Sequence, residues 1–345
     1  MNNEEFAQKN TCRLKKVLVT GASGFIGSFL VEGGLERDMQ VWAGVRKSSS
    51  RAYLKDPRIQ FAELDFAHPG RLTEQLAVHK QLHQGWDYII HCAGVTKCRH
   101  KDEFDKGNTR NFVEALRTLD MVPRQFVYIS SLSIFGPIHE DNYAPISERD
   151  TAMPNTAYGV SKLKSEHYLQ SLNDFPTVIF RPTGVYGPRE RDYFLMVKSI
   201  KQHIDFAPGF KRQDLTFIYV RDLVQAVFLA IEHGVRQRAY FVSDGNVYFS
   251  RTFSDLIQKE LGNPWVIHIK CPLFILKVVS LLAEFSARCL GKVSTLNADK
   301  YKIMKQRNWQ CDISPLVEEL GYRPEYPLDK GVKEIIAWYK KEGWL

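Results

Sequence analysis

Short apolar runs alternate with longer amphipathic stretches through the first half of the chain. Val17-Leu18-Val19 is continuously apolar and ends at Thr20-Gly21, and a helical pattern follows over 25–36. A second run covers 40–45, a third with alternating character covers 59–64, and 71–84 has the period of a helix. The pattern continues with strands at 88–91, 125–129 and 177–180 and helices at 109–118 and 157–172. Strands alternating with helices predict βαβ units and a parallel sheet. Strands of such a sheet are buried on both faces, which is why they read as unbroken apolar runs. After Arg181 the rhythm loosens into helices, loops and isolated strands at 215–220 and 239–242. No repeat or low-complexity linker divides the chain. The expected fold class is α/β, a doubly wound parallel sheet with a smaller, mostly helical C-terminal domain.

The first strand-to-helix turn is Thr20-Gly21-Ala22-Ser23-Gly24-Phe25-Ile26-Gly27. G-x-x-G-x-x-G in this place is a variant of the dinucleotide fingerprint and makes the sheet Rossmann-type. One glycine allows the tight turn, one lets backbone N–H groups reach a pyrophosphate, and one packs helix on strand. Gly21, Ser23, Gly24, Phe25, Ile26 and Gly27 are therefore candidate cofactor contacts. The second strand ends in Val45-Arg46-Lys47, with no carboxylate to bind a ribose 2′-OH. Arg46 and Lys47 favour a 2′-phosphate, hence NADP(H) over NAD(H). Asp65, at the end of the third strand, is placed for the adenine edge. The expected division is a polar tail at 1–13, a dinucleotide-binding domain at 14–184 plus 214–246, and a substrate domain at 185–213 plus 247–345.

Composition changes this picture little. A 44% hydrophobic and 25% charged chain folds rather than staying disordered. Its 47 Lys plus Arg against 39 Asp plus Glu leave a net charge of +8. No aromatic-interleaved basic ribbon is present, so nucleic acid is not an expected partner. The start of the chain, with Glu4 and Glu5, is not a basic-then-apolar secretory signal, and the cysteines at 12, 92, 98, 271, 289 and 311 form no C-x-x-C pair. Both point to a cytoplasmic setting. His91, Cys92, Cys98 and His100 lack the close ligand pairs of a zinc site, so no metal is expected.

Tyr158-Gly159-Val160-Ser161-Lys162 is Y-x-x-x-K on a predicted helix. Its spacing puts phenol and ammonium on one face. The lysine charge is expected to lower the tyrosine pKa and make the phenol a proton donor or acceptor at a substrate oxygen. A strand end upstream offers Ser130, Ser131 and Ser133 as a second hydroxyl.

With Arg181-Pro182-Thr183-Gly184-Val185-Tyr186-Gly187-Pro188, Phe217-Ile218-Tyr219-Val220-Arg221-Asp222 and Leu320-Gly321-Tyr322-Arg323-Pro324, these segments resemble the extended short-chain dehydrogenase/reductases, the NAD-dependent epimerase/dehydratase family. The resemblance runs from about Lys15 to the C-terminus. It implies Ser131 as the catalytic hydroxyl and Lys162 as a ligand of the nicotinamide ribose. It implies Asn108 as the residue holding a relay water, and Ala93 and Gly94 as the loop under the ribose. It also implies a homodimer paired through the helices near 109–119 and 158–172. Leu132-Ser133 stand where sugar 4,6-dehydratases carry an acidic pair, and Thr183 or Gly184 where nucleotide-sugar epimerases usually carry Asn. RPTGVYGP instead resembles the 3β-hydroxysteroid dehydrogenase, dihydroflavonol reductase and ceramide reductase branches.

The expected function is thus an NAD(P)-dependent oxidoreductase interconverting a ketone and a secondary alcohol on an apolar, lipid- or steroid-like small molecule. Its alternatives are a nucleotide-sugar epimerase with tightly held NAD and a non-catalytic redox-sensing protein. Thr96, Ser133, Thr183, Tyr186 and Arg189 are the candidate substrate contacts.

The stretch 272–290 is a helix with a broad apolar face and a narrow edge of Lys277, Ser280, Glu284 and Arg288. Its charges leave no run long enough to span a bilayer. Three readings stay open: a core or lid helix, a dimer face, and a peripheral membrane contact aided by Lys270, Lys277, Arg288 and Lys292.

Overall fold

The computed structural model describes residues 14–94, 109–289, 294 and 296–345, with backbone alone at 288 and 289. The first half holds strands β1 Lys16–Thr20, β2 Gln40–Val45, β3 Gln60–Glu63, β4 Tyr88–His91, β5 Gln125–Ile129 and β6 Thr177–Pro182. The helices between them are α1 Phe25–Leu35, α2 Pro69–His83, α3 Thr109–Thr118 and α4 Ala157–Gln170. The second half holds β7 Gly184–Tyr186, β8 Ile204–Pro208, β9 Asp214–Leu215, β10 Phe217–Tyr219, β11 Arg238–Val242, β12 Tyr248–Phe249 and β13 Ile267–Cys271. Its helices are α5 Asp192–Lys201, α6 Val220–Glu232, α7 Thr252–Glu260, α8 Leu273–Cys289, α9 Ala298–Lys305, α10 Ser314–Leu320 and α11 Leu328–Lys341.

Seven strands form one parallel sheet in the order β11-β6-β5-β4-β1-β2-β3. The order reverses beside β1, so a crevice opens at the carboxyl ends of β1 and β4, where Thr20 and His91 are in register. Alternation along the inner strands fills both faces, while the edge strand β3 buries only Ala62. Val17 and Val19 join the core under α1 and α6, while Leu18 joins the core under α2 and α3. The apolar runs were therefore legible as doubly buried strands. The segment at 239–242 is not isolated but the seventh strand of this sheet.

The predicted strand at 215–220 divides. Asp214–Leu215 pairs antiparallel with β12, and Phe217–Tyr219 pairs parallel with β7. The backbone then turns into α6 at Val220. Thr216 marks the break, its hydroxyl donating to Trp309 O at 2.5 Å. A second core gathers side chains of α5, α7 and α11 around Tyr186, Phe217 and Phe253. Leu316, Leu320 and Tyr322 return to the core of the large sheet, so the C-terminal stretch staples the two parts together.

Candidate active site

The glycine turn is built by close approach. Gly21 has φ +67°, and a Cβ there would sit 2.9 Å from Ala93 Cα. A Cβ on Gly27 would sit 2.2 Å from Gly21 O, so any side chain would push α1 off the turn. Among the described residues no side chain caps α1, whose cap position is Gly24, and its first turn carries no acidic residue. The free N–H groups and the positive end of the helix dipole face the crevice, ready for a phosphate. Ser23, Phe25 and Ile26 are partly exposed around them. These features fit the pyrophosphate of a dinucleotide.

Beside the turn, Ala22 N–H reaches Gly44 O at 3.3 Å, which brings the end of β2 to the same crevice. Arg46 and Lys47 follow directly and are exposed. The Asp65 carboxylate is engaged locally, by His68 Nδ1 at 3.0 Å and Arg71 at 3.6 Å. Its hydrogen bond with His68 leads the interactions that hold its pKa down.

At the end of β4 the sequence reading missed a lock. Thr20 Oγ1 lies 2.8 Å from His91 Nδ1 and accepts the Ala93 N–H at 3.1 Å. Burial, with a smaller push from Lys162, lowers the His91 pKa to about 3, so the ring is neutral. His91 thereby fixes the loop of Ala93 and Gly94 against β1. The exposed Gly94 lies over Lys162, whose Nζ would be 3.4 Å from a Cβ at that glycine. Chain position and burial alone would not have revealed this role; a polar pair on neighbouring strand ends was the available signal. Thr96, Asn108, Cys98 and His100 lie outside the described residues.

Tyr158, Lys162 and Ser131 come together. Thr156 caps α4 by accepting Gly159 N–H at 3.0 Å, and Asp299 of α9 accepts Ala157 N–H at 2.8 Å. A Cβ at Gly159 would be 2.5 Å from Ser133 O, so glycine here lets α4 close on the serine turn. Ser131 starts that turn, its Oγ 2.8 Å from Ser133 Oγ and accepting Ser133 N–H at 3.2 Å. Ser131 also shares a side-chain hydrogen bond with Tyr158. Ser133, buried, thus backs Ser131.

Lys162 is buried, donates to Ile129 O at 2.7 Å and lies 4.8 Å from the Tyr128 ring centroid. Burial alone would lower its pKa, but Tyr128, Tyr158 and Cys92 around it reverse the sign and raise it. The cation is secure. The Tyr158 phenol behaves differently from the sequence expectation. Desolvation outweighs the pull of Lys162, and its pKa is raised. In the free protein the phenol is held as an acid.

One helical turn beyond Lys162, the fully buried Glu166 binds Arg181, with contacts at 2.7, 3.1 and 3.3 Å. Arg181 lies 5.4 Å from the centroids of both Phe135 and Phe241. This ion pair fastens α4 to β6.

The substrate candidates separate. Thr183 is buried near the end of β6, its Oγ1 without a hydrogen-bond partner among the described residues. Tyr186 does not line a cleft: it is fully buried in the second core, its hydroxyl closely packed on Gly331. The aromatic cluster of Tyr219, Phe217 and Phe253 takes up its ring. Arg189 reaches α1, donating to Ser28 Oγ at 2.9 Å and Glu32 Oε1 at 2.6 Å. It stacks on Phe29 and Tyr53, so its charge is spent on holding the helix.

Residues 17–243 match the model of the NAD dependent epimerase/dehydratase family. A Bacillus subtilis protein described as an uncharacterised UDP-glucose epimerase, YtcB, is 28% identical, over 94% of this chain and 97% of its own. The decarboxylating sterol-4-alpha-carboxylate 3-dehydrogenase of Dictyostelium discoideum is 24% identical, over 93% of this chain and 100% of its own. Among solved structures, the dTDP-glucose 4,6-dehydratase of Bacillus anthracis in complex with NAD superposes with a TM-score of 0.74 at 18% identity. That match covers 96% of this chain and 98% of the other.

Proposed function

Because the chain belongs to the NAD-dependent epimerase/dehydratase family, we propose that it is an NAD(P)-dependent oxidoreductase interconverting a ketone and a secondary alcohol on an apolar, lipid- or steroid-like molecule. The observation that carries the chemistry is the convergence of Tyr158, Ser131 and the buried Lys162 beside the glycine turn. When bound, the nicotinamide gives or accepts the hydride. The glycine turn and the start of α1 would hold its pyrophosphate, and Lys162, beside Gly94, would bind its ribose. In reduction Tyr158 delivers its proton to the developing alkoxide oxygen while Ser131 donates to the same atom. A raised phenol pKa suits this direction, since the acid form persists through neutral pH. Groups aimed where negative charge develops stabilise the transition state more than the ground state.

Two features support an apolar substrate. Several basic side chains of the second half that could meet an anionic group are already paired: Arg189 with Glu32, Lys300 with Asp192, Lys302 with Asp299 and Arg212 with Asp214. A nucleotide diphosphate would have to displace carboxylates. The Dictyostelium relative, in addition, is named for a sterol substrate. The exposed Arg46 and Lys47 support NADP(H), although the Bacillus anthracis structure holds NAD.

The Bacillus subtilis relative supports the second reading, a nucleotide-sugar epimerase. Purified protein should be assayed for NADPH and NADH oxidation with keto-lipids and steroid ketones, and for epimerisation of UDP-sugars. Ketone-dependent NADPH oxidation that Tyr158→Phe lowers by roughly 10²- to 10⁴-fold is expected. Near-full turnover by Tyr158→Phe overturns the mechanism. Tightly bound NAD with UDP-sugar epimerisation replaces the reductase with the epimerase.

A further inference from the structure

The helix at 273–289 is mounted with its apolar side outward. Its inward stripe is Leu276, Ser280 and Glu284: Leu276 is 2% exposed and Ser280 fully buried. Ser280 Oγ–H donates to Leu276 O at 2.7 Å, and Glu284 accepts Ala298 N–H at 3.1 Å. Ser280 and Glu284 of the polar edge thus face the protein, while Lys277 is exposed. Phe274, Val278, Leu281, Leu282 and Phe285 are exposed, Phe274 by 70% and Phe285 by 67%. With Ile275 and Val279, which are also exposed, these apolar positions span an arc of about 160° at 3.6 residues per turn.

The surface continues beyond the helix. In the β8–β13 pair, Ile204 lies opposite Ile267 and Phe206 opposite Ile269, and all four side chains are exposed. Gly209 ties this pair to the start of α8, its N–H donating to Cys271 O at 2.7 Å and its α-carbon close to Leu273. An apolar area built by a helix and a strand pair is far larger than scattered surface residues. Among the described residues no helix is long and apolar enough to cross a membrane.

Charge decides the occupant. The stretches 198–211 and 265–285 build this surface, and their only acidic residues are Asp205 and Glu284. Asp205 is buried against His268 Nδ1 at 2.9 Å and Arg251 at 3.9 Å, and Glu284 is engaged at Ala298. The exposed charges are Lys198, Lys201, Lys211, Lys270 and Lys277. A second copy using the same patch would set these lysines against their own kind. Anionic lipid headgroups complement them while the acyl boundary takes the apolar side chains. We propose that this surface seats the protein on a bilayer containing anionic lipid, with α8 lying in the interface. Asp299 of α9, which packs on α8, also holds the N–H before Tyr158, so the seat adjoins the catalytic helix. The inference rests on the surface and not on the reaction proposed above.

The test is co-sedimentation with phosphatidylcholine vesicles with and without phosphatidylglycerol, which reads no turnover. The protein should pellet with the phosphatidylglycerol vesicles and be partly released by salt. Lys270→Gln with Lys277→Gln should weaken that binding by roughly 30-fold. Phe274→Ser with Phe285→Ser should weaken it by at least about tenfold. Absence of wild-type binding, or binding indifferent to both pairs of substitutions, overturns the proposal. So does a concentration-dependent dimer in sedimentation velocity that Phe274→Ser with Phe285→Ser dissolves while vesicles bind nothing.

Discussion

Helices α4 and α8 depart from the ordinary rule of burial in opposite directions. The buried stripe of α4 is Gly159, Lys162, Glu166 and Leu169, so two charged side chains occupy the middle of its inner face. α8 buries Leu276 and Ser280 and leaves large apolar side chains in the open. Burying charge costs free energy unless each group is paired, and α4 meets that condition through Ile129 O, the tyrosines and Arg181. Exposing apolar surface costs free energy unless something covers it, and among the described residues nothing covers the outer side of α8. Polarity and burial disagree at both helices, and each disagreement coincides with a proposed function: proton transfer at one, an interface at the other.

The contrast is tested hardest at Lys162. Lys162→Met keeps the length of the side chain but removes the charge that favours the Tyr158 phenolate. We expect kcat/KM to fall by about 10²- to 10⁴-fold. The sign for alcohol oxidation follows from the same coupling. Lys162 pulls the phenol pKa down, so its loss raises it, and the alkaline rise of the oxidation rate should move to higher pH. A pH–rate profile that does not move would remove Lys162 from proton transfer and leave it a role in binding alone.

Glu166 should act on stability. Glu166→Ala leaves Arg181 without its carboxylate between two aromatic rings, and loss of one partner of a buried pair costs about 3–5 kcal/mol. Urea unfolding measures this. A cost below about 1 kcal/mol would mean that water reaches Arg181 and that α4 is not fastened by this pair.

How much of this could be read from the residues follows from where the information sits. Val17-Leu18-Val19 and its counterparts are buried on both faces, so their pattern needs no knowledge of neighbours. The glycine turn is equally local, since Gly21, Gly24 and Gly27 answer to one another's backbone. Y-x-x-x-K defines one helical face whatever packs beside it. Facts that depend on a partner were not legible. Tyr186 follows a motif yet is drawn into the second core because Gly331, far along the chain, leaves room for its ring. Arg189 finds Glu32 across the fold. His91 matters through Thr20 on the adjoining strand. The net direction of the Tyr158 pKa depends on enclosure, which spacing cannot reveal. The periodicity of α8 was plain, but a period fixes the angle between two faces and not which one turns inward.

The orientation of α8 can therefore be checked residue by residue within the helix. Leu276→Ala removes side-chain volume that is 2% exposed, and a buried leucine so truncated costs about 2–5 kcal/mol. Phe274 stands two positions earlier and is 70% exposed. Phe274→Ser should change unfolding stability by no more than about 0.5 kcal/mol, as surface substitutions do. In a helix facing a core, the larger aromatic would be the costlier loss. The order expected here is the reverse, and it holds in the absence of lipid, because vesicles contribute only when present. If Phe274→Ser proved as destabilising as Leu276→Ala, α8 would be packed on its apolar side, and the contrast with α4 would disappear.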